Sequence, residues 1–222
     1  LRKNVNNYFN ENGISTKGNK KMVIKSAVML GLYLIPFVAI LTIAMNPWLM
    51  ISLSVLMGIG MAGTGMSVMH DSMHGSSSRK GWVNNLLGSS MYLLGGSTFT
   101  WKVQHNILHH TFTNIEGFDE DIQSRVVVRF SHQAPLYKMH RFQHIYAFFF
   151  YSLMTLSKLA KDFVQLWKYN KTGITQQQNA NPAVEFLKMA LAKTVYLFVI
   201  IGLPLFLTDF TSWQILLGFA AM

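Results

Sequence analysis

The sequence contains no cysteine in its 222 residues, and it is poor in charge: charged residues make up 13% of the chain, and only nine residues are acidic. The absence of cysteine excludes disulfide bonds, zinc–thiolate sites and thiol catalysis. Half of the residues are hydrophobic and the mean hydropathy is positive. Because soluble domains usually carry about a quarter of their residues as charged side chains, the shortage of charge favours a protein embedded in a membrane.

The longest charge-free run covers residues 26–69, which contain no Asp, Glu, Lys or Arg. A helix needs about 20 apolar residues to cross a bilayer, so this run predicts two crossings. Asn46 and Pro47 supply the break, because proline disfavours helix in the residue before it and cannot continue one itself. A buried soluble hairpin or a cleaved signal peptide fits less well, since the first apolar stretch is long and leads directly into the second.

The basic residues are unevenly distributed along the chain, and their distribution predicts an orientation. Six of the 19 Lys and Arg residues lie in 1–25 and the others lie in 79–193, with none at the 46–47 turn or after 193. Basic residues concentrate on the cytoplasmic side of membrane proteins. We therefore expect the N-terminus and residues 70–193 in the cytoplasm. Anionic membrane lipid then accounts for the net charge of +10, and no nucleic-acid partner is expected.

These patterns predict an all-α integral membrane protein with two transmembrane hairpins, the second cut short, and a cytoplasmic helical cap. Residues 82–100 and 145–157 are apolar but unsuited to spanning, and we expect them in buried or interfacial positions. The third span requires that Lys193 extend its ammonium group to the interface. The predicted regions are a basic cytoplasmic segment at 1–25, a first hairpin at 26–69, a cytoplasmic or interfacial region at 70–193, and a third span with the start of a fourth at 194–222.

All eight histidines of the chain fall between residues 70 and 144. The stretch HDSMH places His70 and His74 at positions i and i+4, which share one face of a helix and can grip one metal ion. The stretch QHNILHH repeats this spacing with His105 and His109. His110 follows, rotated by about 100° on an α-helix, as expected if a second metal lies alongside. Imidazole suits Fe, Cu, Zn and Ni, so the spacing alone leaves the metal open.

Four stretches together resemble the integral-membrane fatty acid desaturases. They are HDSMHGS at 70–76, WKVQHNILHHTFTN at 101–114, GFDEDI at 117–122 and RFQHIYAFFFYSL at 141–153. The resemblance is strongest to the bacterial acyl-lipid or acyl-CoA desaturases related to the linoleoyl-CoA, front-end type, and it implies a bacterial inner or plasma membrane. It also implies a non-haem centre of two Fe ions with O2 as co-substrate. The ligands carried over by the resemblance are His70, His74, His105, His109 and His110, with His144 as a possible addition.

The third histidine box of that family, HxxHH or QxxHH, is absent from the 222 residues. Because that box normally follows the fourth transmembrane helix, we expect the sequence to be truncated at its C-terminus and inactive alone. The resemblance further implies a separate electron donor, either a ferredoxin or a cytochrome-b-type protein, since residues 1–25 are too short for a fused haem domain.

Polar residues near the histidines invite roles as supports of the site. We predict that Asp71 and Asn114 orient ligands through hydrogen bonds, and Gln104 is a further candidate. We expect a solvated or arginine-paired loop for the acidic run, which consists of Glu116, Asp119, Glu120 and Asp121. His132 and His140 are expected at the surface.

The function implied by the resemblance is a fatty acyl desaturase, an O2-dependent enzyme that introduces a cis double bond into the acyl chain of a lipid or an acyl-CoA. A related di-iron hydroxylase or ketolase shares the iron chemistry and stays as an alternative. From another class, a zinc-dependent intramembrane hydrolase could also use clustered histidines. A metal transporter fits less well, because transport residues lie near the bilayer midplane whereas these histidines flank the predicted spans.

Overall fold

The computed structural model describes residues 1–123 and 126–222, and in these ranges it contains helices and no β-strand. The chain divides into two compact units, one of Leu1–Leu94 with Tyr196–Met222 and one of Gly95–Val195. The α-helices are α1 (Arg2–Glu11), α2 (Lys20–Thr42), α3 (Pro47–Gly63), α4 (His70–Met73), α5 (Gly81–Gly88), α6 (Thr98–Trp101), α7 (Gln143–Ser152), α8 (Met154–Lys171), α9 (Ile174–Gln177), α10 (Pro182–Leu197), α11 (Leu203–Leu207) and α12 (Ser212–Ala221). Three π-helical segments interrupt this series, at Thr64–Met69, Lys102–His109 and Phe198–Gly202, and 3-10 turns occupy Ser89–Leu94 and Lys138–Phe142.

Within the described residues, three continuous helices are long and apolar enough to cross a membrane. They cover Lys20–Thr42, Pro47–Met73 and Pro182–Leu207, and the last begins well before the apolar stretch at 194. A fourth apolar helix, Ser212–Ala221, is shorter. The predicted fold class, an all-helical membrane protein, is confirmed. The number of hairpins and the cytoplasmic position of the cap stay predictions.

The first hairpin is built where the sequence predicts its break. Helix α2 ends at Thr42, and Asn46 begins α3 by accepting a hydrogen bond from the Leu49 N–H at 3.0 Å, with Pro47 at the first helical position. The two helices then approach closely at Gly60. A Cβ atom on this residue would lie 2.5 Å from the backbone nitrogen of Tyr33, so the contact requires glycine.

In the second unit, a buried ion pair joins α8 and α10. The ammonium group of Lys193 lies 2.9 Å from Asp162 and also donates to the carbonyl oxygens of Gly95 and Lys158. Asp162 in turn accepts the Ser97 N–H at 3.0 Å. The expectation that Lys193 extends to the interface is wrong, because three oxygen acceptors satisfy its ammonium group inside the protein.

Candidate metal centre

The first histidine pair lies in the first unit, directly after a π-helical segment. The His70 N–H donates to the carbonyl of Gly65, five residues earlier. Helix α4 begins at His70, and His74 is its C-cap. The imidazole rings of these two histidines lie 4.6 Å apart between centroids, as their i, i+4 spacing predicts. Oδ1 of Asp71 lies 3.3 Å from Nδ1 of His70, and its other oxygen lies 3.5 Å from Lys25.

The second histidine group lies in the second unit on a π-helix, Lys102–His109. The Ser97 side chain caps the preceding helix α6 by accepting the Thr100 N–H. The His110 N–H donates to the His105 carbonyl, which is the i→i+5 bond of a π-helix. Sequence alone gives no sign of this, because the pattern of apolar residues does not distinguish one π turn from an α turn.

The π-helix changes where His110 lies. Because a π-helix takes more residues per turn than an α-helix, positions i, i+4 and i+5 lie on one side. The His105 ring is accordingly 5.1 Å from that of His109 and 5.0 Å from that of His110. The α-helical rotation of about 100° assumed for His110 therefore does not apply, and its place beside a second metal stays a prediction. The indole of Trp101 stacks on His105 at 4.6 Å and supports the same side of the helix.

Two carboxylates hold the ring nitrogens of this pair. Nδ1 of His109 lies 3.0 Å from both oxygens of Asp119, and Nδ1 of His105 lies 3.0 Å from Oδ2 of Asp121. Gln104 donates to the other oxygen of Asp121 at 2.7 Å. Since an ionised carboxylate can only accept, each imidazole donates through Nδ1, and Nε2 is the nitrogen by which such a ring can bind a metal.

Asp119 is fully buried, and its environment favours the ionised form. Burial opposes ionisation. It is outweighed by hydrogen bonds from the Asn114 N–H at 2.8 Å, the His109 side chain and the Asp121 N–H, which hold the pKa of Asp119 below its usual value. Asn114 makes its contact through the backbone, at a positive φ of 64° that asparagine tolerates better than most residues.

The residue between these two aspartates points the other way. The Glu120 carboxylate is buried and accepts hydrogen bonds from three side chains of α8: Gln165, Lys168 at 3.0 Å and Tyr169 at 2.9 Å. The prediction of a solvated or arginine-paired acidic loop is wrong for Asp119 and Glu120, which are buried, whereas Asp121 is exposed as expected.

The remaining histidines have different surroundings. His140 is buried, so its expected surface position is wrong. Burial is possible because its Nδ1 accepts the Tyr137 N–H and its Nε2 donates to the Val126 carbonyl. Both ring nitrogens are thereby used in protein hydrogen bonds. His132 is exposed, as expected. His144 is also exposed, near the start of α7, and its part in metal binding stays a prediction.

The donor set fits a transition metal that accepts imidazole. His105, His109 and Asp121 each offer an atom within 4.8 Å of the others. The aspartate contacts Nδ1 of both rings, so its geometry is that of a group that orients the imidazoles. Imidazoles oriented in this way by carboxylates are typical of metal ligands and suit iron as well as zinc.

Comparison with known proteins matches most of the chain to one family. The family model described as fatty acid desaturase covers residues 46–222. An sn-1 linoleoyl-lipid 6-desaturase of Arthrospira platensis is 33% identical over 68% of this chain and 41% of its own length. A second sn-1 linoleoyl-lipid 6-desaturase, from Synechocystis sp., is 30% identical over 98% of this chain and 60% of its own length. An acyl-lipid (8-3)-desaturase of Physcomitrium patens is 28% identical over 92% and 43%, respectively.

The chain therefore spans about half the length of the curated relatives that it matches. No solved structure matches it significantly.

Proposed function

The chain belongs to the fatty acid desaturase family, and from this we propose that its activity is the O2-dependent desaturation of a fatty acyl chain at a histidine-bound iron centre. The observation that carries the proposal is the pair of imidazoles at His105 and His109, each bonded through Nδ1 to a carboxylate. This arrangement leaves Nε2 as the metal-binding atom of each ring.

In this proposal five histidines hold two Fe ions, and one further histidine is a possible addition. When bound, the iron centre and O2 supply the oxidising power that protein side chains lack. Asp119 and Asp121 fix the tautomer of two imidazoles, Asn114 holds Asp119 in place through its N–H, and Asp71 has the corresponding position beside His70. The proposed ligands are His70, His74, His105, His109 and His110, with His144 as the possible addition.

The proposed substrate is the acyl chain of a membrane lipid. The relatives carry names that describe acyl-lipid or linoleoyl-lipid desaturases, which favours a lipid over an acyl-CoA and desaturation over hydroxylation. Removing two hydrogens while O2 is reduced to two waters consumes two more electrons. A separate ferredoxin or cytochrome-b-type protein is the proposed donor.

We place the histidines on the cytoplasmic side of a bacterial inner or plasma membrane. The support is the set of six basic residues within 1–25, which would remain in the cytoplasm. The regions proposed on this basis are the basic segment 1–25, the hairpin 26–69, the cytoplasmic or interfacial part 70–193 and the last membrane part 194–222.

A chimeric enzyme tests the proposed activity. The 222 residues replace the matching region of the Synechocystis desaturase, and the fatty acids of a bacterial host are analysed by gas chromatography and mass spectrometry. We expect a new cis double bond with the chimera and none with its His109→Ala variant. A membrane-inserted chimera that leaves the host's fatty acids unchanged, while the parent enzyme desaturates them, would contradict the proposal.

A further inference from the structure

Helix α8 contains none of the proposed ligands, but it carries a buried face. Asp162, Gln165, Leu166 and Tyr169 are its buried residues, and their i, i+3, i+4, i+7 spacing places them on one side of the helix. Two of the polar members, Gln165 and Tyr169, have side chains directed at Glu120. Burying polar side chains such as these costs free energy unless each of them is hydrogen-bonded. The contact with Glu120 supplies that hydrogen bonding.

Glu120 lies between the two aspartates that hold the imidazoles. Glu120 and Asp121 lie in a turn that follows Asp119. Within this short segment Asp119 and Asp121 contact the two histidines, while the Glu120 carboxylate contacts α8. The direct hydrogen bond from the Asp121 N–H to Oδ1 of Asp119, at 2.9 Å, makes the segment a single small unit. Holding the Glu120 side chain against α8 therefore limits the directions in which the carboxylates of Asp119 and Asp121 can point.

We propose that Glu120, held by Gln165 and Tyr169 of α8, is a positioning residue that keeps Asp119 and Asp121 against Nδ1 of His109 and His105. The inference rests on the proposed metal site, because its consequence is a preformed pair of metal-binding imidazoles. It assigns to α8 a role in the site although no residue of this helix is a proposed ligand.

The buried partners of Glu120, Gln165 and Tyr169, contribute more to holding its carboxylate than the partly exposed Lys168 does. The side chain of Lys168 is 47% exposed, and an ion pair of this kind contributes little because water screens it. Tyr169 is fully buried. Burial and the adjacent charge of Glu120 raise the pKa of the Tyr169 hydroxyl above its usual range, so it stays protonated and donates to the carboxylate.

Two variants weaken the contacts between Glu120 and α8 without changing a proposed ligand, and we call them the anchor variants. Glu120→Gln keeps the size of the side chain but places an NH2 group where an oxygen now accepts, and Tyr169→Phe removes one hydroxyl. The matched control is Tyr151→Phe, the same chemical change at an exposed residue of α7. Circular dichroism of the full chain in detergent verifies that each variant is folded. If Glu120→Gln does not fold, Tyr169→Phe carries the test.

The first readout requires no metal. With selective 15N labelling of histidine, at a pH above the ordinary histidine pKa, the ring nitrogen shifts report the tautomer. His105→Gln and His109→Gln variants assign the signals. We expect the wild type and Tyr151→Phe to show the Nδ1–H tautomer at His105 and His109, and the two anchor variants to show a mixture of tautomers.

The second readout is the affinity for Co(II), followed by its visible absorption. We expect the anchor variants to bind about tenfold more weakly than the wild type, the lower end of the range for residues that orient ligands. Unchanged tautomers in both folded anchor variants would overturn the inference, whatever the Co(II) affinity. If the wild type binds no Co(II), the proposed metal site fails in this chain, and the tautomers alone decide the role of Glu120.

Discussion

Nδ1 of His109 lies 3.0 Å from each carboxylate oxygen of the fully buried Asp119. A buried carboxylate is costly unless its lone pairs are all used, and here the N–H groups of Asn114 and Asp121 supply the remaining donors. The imidazole is thus held in one tautomer by a group that is itself held on several sides.

Asp119→Asn should weaken metal binding without removing a proposed ligand. The amide brings an NH2 group among backbone donors and removes the negative charge that holds His109, so we expect the affinity for Fe(II) to fall about 10- to 100-fold. Anaerobic competition with a chromophoric chelator measures it. Asp209→Asn, at an exposed residue before α12, is the control and should bind as the wild type does. Equal affinity in both variants would contradict the role of Asp119.

The pair of Lys193 and Asp162 predicts a pattern of stability. Lys193→Met leaves Asp162 charged and buried beside unsatisfied carbonyls, and we expect a loss of about 3–5 kcal/mol in the free energy of unfolding. Adding Asp162→Asn removes the uncompensated charge while keeping an acceptor for the Ser97 N–H. The double variant should therefore melt at a higher temperature than Lys193→Met alone. Thermal unfolding in detergent tests this, and a single variant as stable as the wild type would contradict it.

The close contact of α2 and α3 predicts that Gly60 resists substitution. In Gly60→Ala the new Cβ would meet backbone atoms of Leu32 and Tyr33 at 2.6 and 2.5 Å, so the helices must separate. We expect a cost of about 1–3 kcal/mol, as for other overpacked positions. Gly31→Ala is the matched control, since its Cβ would meet only the Ile35 side chain at an ordinary 3.5 Å. A melting temperature that falls equally in both variants would count against the close approach.

The proposed orientation predicts which side of the membrane each turn faces. The chain has no cysteine, so single cysteines can be introduced without a background signal. Asn46→Cys should react with an impermeant maleimide added to intact cells, and Ser78→Cys should react only after the membrane is opened. Labelling of Ser78→Cys in intact cells would reverse the proposed topology.

Hydropathy and spacing in the sequence predict the large features. The charge-free run at 26–69 predicts the first two spanning helices, and the break at Asn46 falls where α3 begins. The i, i+4 spacing of His70 and His74 correctly predicts neighbouring rings. These predictions succeed because they depend on burial of apolar area and on helical periodicity, which are local properties of the sequence.

The features that the sequence did not reveal depend on contacts between distant residues. A π-helix at Lys102–His109 brings His110 beside His105, and the α-helical rotation assumed for it does not apply. The burial of charged residues is likewise not visible in the sequence. Lys193 and Glu120 read as solvated residues until their partners on α8 are known, because a polar side chain is buried only where tertiary structure satisfies it.

The central claim is that the histidines of this chain bind iron, and the most direct measurement is anaerobic titration of the 222-residue chain with Fe(II), followed by equilibrium dialysis and metal analysis. The account predicts that the chain retains iron, and that His109→Ala, although inserted and folded, loses most of it. Iron retention that is the same in the wild type and in His109→Ala, or retention of zinc with no iron, would contradict the account.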